Sequence, residues 1–523
     1  PENKLIFAPG LLAGHRLSSL DRISVGGKSP LTGGIKEANA GGRTAYHMAM
    51  LGIKALILED LPDDPAWCLL HLNNSGVRFE DGSDYAGLGV YESSKKIITK
   101  YGEDIALALI GPGGEMLLKA AGIQNIDQDL VPSRIAARGG LGAVMGSKRI
   151  KAIVFDGEGG ARPDVADRDM FTQARKEYIQ ALVNHPQTKS YAEYGTASMA
   201  SITDHFGALP TRNFSAGSFE GVDKIDGDAL RESMVARGGV SNPTHACMAG
   251  CAIKCSNVYG DESGKNVLTS PIEYETIGLM GSNLGLDDLD SIARLNFKVN
   301  DLGLDTIEIG ASLGVACEAG LMEFGDADRA LALLDEIEQG TELGRNIGNG
   351  AGNLGQVYGV KRVPVVKNQA MPAYDPRAVK GTGVTYATSP QGADHTCGLT
   401  IRAEINHRSP EGQVQVSRSS QISMAGYDTL GVCLFAGFGF AAAQGSLALL
   451  LNAIHGTNYS DDVLSQLGKK TLKLELEFNA LAGFTHRDDR IPRWMETEEN
   501  PQTGTVFDVP NDELDGIFDD FNE

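Results

Sequence analysis

Basic runs and paired CxxC arms are missing from this sequence, no secretory signal is expected from its first residues, and each of these narrows what the chain can do. Its 46 Lys and Arg stand against 68 Asp and Glu, a formal charge of -22, and no cluster of Lys or Arg interrupts that excess. Such a field repels phosphate polymers, so nucleic acid is not an expected partner. The chain opens on Pro1 without a basic segment followed by an apolar one, which leaves secretion without support. Cysteine is scarce, seven in 523 residues, and an odd number suits a reducing, cytoplasmic compartment better than a disulfide framework. Neither GxxxxGK[ST] nor a GxGxxG leading from a strand into a helix occurs, so nucleoside triphosphate and Rossmann binding are not indicated. No repeat appears at solenoid periods.

What is present is a long, apolar, glycine-rich chain. Hydrophobic residues make up 42%, enough to bury sizeable cores, and at about 150 residues per domain the length predicts three domains or so. Glycine accounts for 65 of the 523 residues, well above the usual share of roughly 7%, and recurs in pairs that suggest sites built from backbone. Up to about residue 160 the text reads as short strands between glycine turns: KLIFAPG, DRISVGGKSPLTGG, KALILED, WCLLHLNNSGVRFED, IALALIGPGG and KAIVFDG. Helical periodicity opens at Pro163 and Asp164 and dominates thereafter. The expected architecture is α+β: a sheet-rich domain over 1–160, a helical domain over 161–350, and a second helical domain over 351–523, the last boundary falling in GRNIGNGAGNLGQVYG. The tail after Asp488 reads as an acidic surface wrap. Residues 430–454 carry no charge and are long enough to span a bilayer, yet scattered glycines and missing basic flanks favour a buried helix.

Three features carry chemistry. THACMAGCAIKC sets Cys247, Cys251 and Cys255 at CxxxCxxxC. Three such thiolates can hold three irons of a cubane, leaving the fourth to a distant ligand, for which Cys433 in YDTLGVC is the candidate. Zinc and unliganded buried cysteines are the alternatives. Next, SVGGKSPLTGG (24–34), NAGG (39–42) and ARGGLGAVMGSK (137–148) are glycine loops whose N–H groups can form anion nests, with Arg22, Lys28, Arg138 and Lys148 to neutralise phosphate. Tight turns in a small-residue sheet are the competing reading. Finally, NDLGLD (300–305) and DTLGVC (428–433) echo each other, as paired loops approaching a symmetric ligand would.

Together with PENKLIF, ARGGLGAVMGSKRIKAI, the EYE of SPIEYETIGLMGSNLGLDD and AYDPR, these motifs resemble the tungsten-dependent aldehyde ferredoxin oxidoreductases through nearly the whole chain. The resemblance implies tungsten, or molybdenum, held by two pyranopterins beside a 4Fe–4S cluster on Cys247, Cys251, Cys255 and Cys433. It implies that Asn39 and the backbone around Arg138, Gly139 and Gly140 hold the pterin phosphates and their Mg2+, with Arg22, Gly41 and Gly42 nearby. It places Asp301, Asp305 and Asp428 on the pterins, and it puts Glu275 and His395 in the position of an acid/base pair, with Glu273 as a close rival of Glu275. The reaction it implies is oxidation of a small aldehyde to a carboxylate. Electrons would pass to ferredoxin or another small carrier, or to an iron–sulfur partner subunit, in an anaerobic cytoplasm. Relatives acting on a carboxylate, an aryl thioester or a 2-hydroxy acid, and a non-catalytic iron–sulfur electron-transfer subunit, are the alternatives.

Four departures from the family's pattern are visible. Relative to the family the chain begins partway into the first domain and stops before the usual end. Asn300 replaces an aspartate. The first cysteine pair is CxxxC where several relatives have CxxC. Arg294 and Phe297 stand where some relatives carry an ExxH that bridges dimers through iron, so any homodimer is expected to lack bridging iron.

Overall fold

The structure is a computed structural model and describes residues 3–522; Pro1, Glu2 and Glu523, the ends of the outer expected domains, lie outside the described residues. The first 156 residues build two sheets. Strands β1 (Leu5–Pro9), β2 (Ile23–Lys28), β3 (Ile35–Ala40) and β4 (Leu56–Leu58) pair antiparallel in the order β3-β2-β1-β4. Strands β5 (Cys68–Asn73), β6 (Gly76–Asp81), β7 (Ile105–Leu109), β8 (Ile123–Ile126), β9 (Pro132–Ala136) and β10 (Ile150–Asp156) form the second sheet, ordered β6-β5-β10-β7-β8-β9, in which only β5 and β10 run parallel.

The continuous apolar text of β7 and β10 follows from burial on both faces, because successive side chains alternate across the sheet. Ala106, Ala108, Ile153 and Phe155 join a core shared with the first sheet, helix α1 (Thr44–Met50) and the later helix at Leu141–Ser147. Ile105, Leu107, Leu109, Ala152 and Val154 face the other way, under Val90 and Ile97 of α2 (Val90–Tyr101). The Leu141–Ser147 helix, α3, starts at Gly140.

Helices fill the rest. α4 (Tyr274–Met280), α5 (Leu289–Asp301) and α6 (Thr306–Glu318) lie in one apolar core that runs from Leu118 through Ile277, Ile309 and Ala387 to Phe521, crossing residue 350 without a break. α6 is largely apolar because residues 307–316 are all buried. α7 (Gln413–Leu430) crosses α8 (Val463–Ala482) at backbone contact: a Cβ on Gly468 would stand 1.8 Å from the carbonyl oxygen of Ile422. A small sheet of β11 (Asn242–His245), β12 (Ser256–Gly260) and β13 (Val267–Thr269) flanks the cysteine loop.

The uncharged run 430–454 is not one helix. It breaks into a turn at Leu434–Ala436 and helices at Gly437–Ala442 and Ser446–His455, with left-handed Gly431 and Gly445 as punctuation. Among the described residues no single helix is long and apolar enough to cross a membrane; α7 and residues 434–442 pass that test only as a pair bent by 108°.

Candidate active site

Sheet domain and helices meet around a cavity of about 390 Å³. The period-2 alternation of β3 buries Lys36, Ala38 and Ala40 more deeply than Glu37 and Asn39, and both of the latter line the cavity. Arg22 fixes this wall: its Nε donates to Oδ1 of Asn39, its Nη2 to the Asn39 carbonyl at 3.2 Å, and its own N–H to the carbonyl of Gly431 at 3.2 Å. Opposite, the N-terminus of α4 presents Glu273 and Glu275, and Asp305 caps α6 by accepting from the N–H of Ile307 at 3.0 Å. Arg138 closes the floor. It donates to Asp305 at 3.3 Å, to the Ala393 carbonyl at 2.7 Å and to the Ala370 carbonyl at 2.6 Å. Through Ala393 it holds the segment that carries Asp394 and His395.

Glu275 and His395 meet inside the cavity. Nε2 of His395 lies 3.3 Å from Oε1 of Glu275, close but not aligned as a hydrogen bond, and Oε2 of Glu275 accepts from the N–H of Ala373 at 2.8 Å. Burial pushes the Glu275 carboxyl up, with His395 opposing it. The rival Glu273 is differently placed: Thr196 donates to one oxygen and Arg134 approaches the other at 3.7 Å. Glu275 is therefore the acid with an oxygen to spare.

The four predicted cluster cysteines converge from two loops. Cys247, Cys251 and Cys255 lie between β11 and β12, and Cys433 follows α7, its N–H donating to the Ser19 carbonyl at 2.9 Å. Cys247, Cys255 and Cys433 line the cavity, while Cys251 is buried behind them with its Sγ 3.2 Å from Oγ of Ser19. Burial pushes the Cys247 thiol up to about 12 and raises Cys255 and Cys433; the other thiols in the set raise them further, and Arg22 opposes this at Cys247 and Cys433. Such a set needs a cationic group before it becomes thiolate. Among the described residues no three His, Cys, Asp or Glu side chains are already arranged around one ion.

The remaining expected residues divide. Gly41 lines the cavity and would place a Cβ 3.2 Å from Sγ of Cys247. Asp428 lines it from the last turn of α7, its carboxyl raised well above the usual range by burial and by Glu37. Gly139 and Gly140 adopt left-handed φ of 80° and 81° beneath the floor, where a Cβ on Gly139 would meet Cγ of Lys36 at 2.5 Å. Gly42 belongs to a neighbouring cavity. Asp301 stands outside the cavity: its carboxylate accepts from the N–H of Tyr91 at 3.0 Å at the start of α2, and Asn300 faces inward instead.

Sequence reasoning missed Arg134, Lys36, Asp394 and Tyr374. Arg134 reaches Ser256 at 2.6 Å and has a buried Nε without a hydrogen-bond partner. The ring of Tyr374 lies 5.7 Å from that of His395. The available signal was charge inside strand text, in GGIKEANA and VPSRIAA, and the acid next to His395 in GADHT.

The unpaired Nε of Arg134, with Arg22 and Asn39 beside the same space, fits an anionic cofactor, and four cysteines brought together from two loops are of the ligand type of an iron–sulfur cluster. The family model described as aldehyde ferredoxin oxidoreductase, N-terminal domain, matches residues 1–157, and that for domains 2 and 3 matches residues 173–521. The chain is similar to the tungsten-containing aldehyde ferredoxin oxidoreductase of Pyrococcus abyssi, at 33% identity over 96% of this chain and 84% of that protein. It is also similar to the aliphatic sulfonate oxidoreductase, WOR-like subunit, of Pyrococcus furiosus, at 25% identity over 95% of this chain and 81% of that one. The active-site complex BamBC of benzoyl coenzyme A reductase, solved with 1,5-dienoyl-CoA, shares the fold at a TM-score of 0.77 and 18% identity, covering 99% of this chain and 86% of its own.

Proposed function

Because the chain belongs to the aldehyde ferredoxin oxidoreductase family, we propose that it oxidises an aldehyde and water to a carboxylate at a tungsten or molybdenum bis-pyranopterin. A bound 4Fe–4S cluster would supply the one-electron exit to ferredoxin or a similar carrier, and protein groups take up the protons. The observation that carries this reading is one cavity with an unbonded acid/base pair on one wall and three of the four candidate cysteines on another. When bound, the pterin-held metal supplies the two-electron chemistry and the cluster the one-electron exit.

The chain's own residues supply position and protons. Arg22 and Asn39, with the backbone around Arg138 and a Mg2+, hold the pterin phosphates, and Asp305 and Asp428 face the pterins. Cys247, Cys251, Cys255 and Cys433 hold the cluster. Glu275, its carboxyl raised by burial, takes a proton from the attacking water at Oε1. His395 donates at Nε2 to the carbonyl oxygen where negative charge develops. Seven cysteines outside any disulfide support a reducing setting.

The test is elemental analysis of anaerobically purified holoprotein, together with aldehyde-dependent reduction of a viologen dye. About one tungsten or molybdenum and about four irons per chain, with turnover, support the proposal. Four irons with neither heavy metal and no turnover favour an electron-transfer subunit. Heavy metal with turnover only on a carboxylate, an aryl thioester or a 2-hydroxy acid moves the substrate and keeps the cofactors.

A further inference from the structure

Behind His395 lies a buried ion pair that the reaction above does not use. Lys36 of β3 is 1% exposed on its side chain, and its Nζ stands 2.6 Å from Oδ2 of Asp394, itself 4% exposed. An amine buried on a strand among apolar neighbours is destabilising unless its charge is matched. Its stem passes over Gly139, where a Cβ would clash at 2.5 Å, so the glycine loop is shaped around this lysine.

The other Asp394 oxygen is equally fixed. Oδ1 accepts from the N–H of Thr396 at 3.0 Å and from its hydroxyl at 2.8 Å, and Arg138 tethers the preceding residue, Ala393, at 2.7 Å. Burial would push the Asp394 carboxyl up, but Lys36, Arg138 and His395 outweigh it and hold the group well below the usual carboxylate range. A permanent anion results. It lies 3.9 Å from Nδ1 of His395, a buried nitrogen with no hydrogen-bond partner. The groups on the imidazole are Asp394 on its own segment, Glu275 from α4 and the Tyr374 ring, while Lys36 from β3 and Arg138 from the loop before α3 bear on Asp394 and the residue before it.

A ring nitrogen turned toward a fixed anion is favoured as N–H and disfavoured as a bare lone pair. We propose that Lys36 and Asp394 form a positioning pair that keeps a proton on Nδ1 of His395, so that the imidazole gains and loses its exchangeable proton at Nε2 alone, facing Glu275. The inference deepens the acid/base role given to His395 above. It concerns the imidazole itself and holds or fails whatever the substrate is.

The experiment maps carbethoxylation of His395 by peptide mass spectrometry against pH in the holoprotein, since the reagent attacks only the neutral ring, and sets it beside the pH profile of kcat/KM with a viologen acceptor. Asp394→Asn removes the anion and is expected to lower the His395 midpoint by about one unit. Lys36→Met leaves the carboxylate unmatched and drives it to take up a proton, so the midpoint falls in the same direction, while Lys36→Arg keeps the wild-type midpoint. A purely structural role lowers activity equally at all pH and leaves the midpoint in place. An unchanged or raised midpoint in Asp394→Asn overturns the proposal, and a raised midpoint in Lys36→Met removes Lys36 from it. If Asp394→Asn does not fold, Asp394→Ser, which retains a hydroxyl near Thr396, is judged by the same criteria. Absence of dye reduction in the unsubstituted holoprotein, with the Asp394→Asn shift present, counts against the oxidoreductase reading and leaves this one standing.

Discussion

Oε1 of Glu275 lies 3.3 Å from Nε2 of His395, and neither atom satisfies the other as a hydrogen bond. The carboxylate comes from the first turn of a helix in the middle of the chain, the imidazole from a short turn far downstream, and Arg138 ties the second to the sheet domain. A pair held close by separate elements and left unbonded is available to a third molecule.

Glu275→Gln and His395→Ala are each expected to lower kcat by roughly 10²- to 10⁴-fold, the range of a lost proton-transfer group, with tungsten or molybdenum content unchanged. Steady-state kinetics and elemental analysis on the same preparation check this. Full activity in both variants would remove the mechanism.

Cys433→Ser is expected to reduce iron content and the visible absorption of the cluster, since the thiol faces the same space as Cys247 and Cys255. Cys397→Ser, a cysteine two residues beyond His395 and apart from that set, leaves the spectrum as it was. Absorption spectra of both variants decide between a shared site and scattered core thiols.

Gly468→Ala drives a methyl group into the Ile422 carbonyl, 1.8 Å away. The crossing of α7 and α8 must open to admit it, at a cost of roughly 2–3 kcal/mol, which thermal unfolding registers as a lowered Tm. An exposed alanine substitution at Gly359, where a Cβ meets nothing within 4 Å, pays only the left-handed φ.

Glu475 is buried on α8 with its carboxyl raised to about 7 by burial, while the amide of Gln391 donates to it at 2.9 Å. The folded state therefore keeps its proton where the unfolded chain has lost it. That contribution is fully present below the unfolded value near 4.5 and is lost as pH rises through about 7. Glu475→Gln, which cannot ionise, is expected to gain stability relative to the parent at pH 8 over pH 5, by up to ~3 kcal/mol. Denaturant melts at the two pH values measure it, and equal differences at both would contradict the assignment.

Much of the fold was legible because local rules agreed with global ones. The strand text up to residue 156 reads as strands, and Asp288, Asp305 and Asp326 cap the helices that follow them. The motif residues Cys247, Cys255, Cys433, Glu275 and His395 line one cavity. Pairings across long stretches of chain were not legible. Lys36 and Asp394 look like unrelated surface charges in one dimension, and Arg134 looks like a stray base in a strand. Asp301 shows the converse: it shares a motif with Asn300 and Asp305, yet on a helix adjacent residues point in different directions, and the helix turns Asp301 toward α2. The run 430–454 reads as a single apolar helix because hydropathy does not register the left-handed glycines that break it.

One close approach of backbone has an evolutionary consequence. Gly10, after β1, touches the chain at Leu430 and Gly431, where a Cβ would stand 2.1 Å from the Leu430 carbonyl oxygen. Asp428 and Cys433 flank that point, the one proposed to face a pterin and the other to hold an iron. A side chain at Gly10 would displace both together, so grip on one cofactor and spacing to the other behave as a single heritable trait.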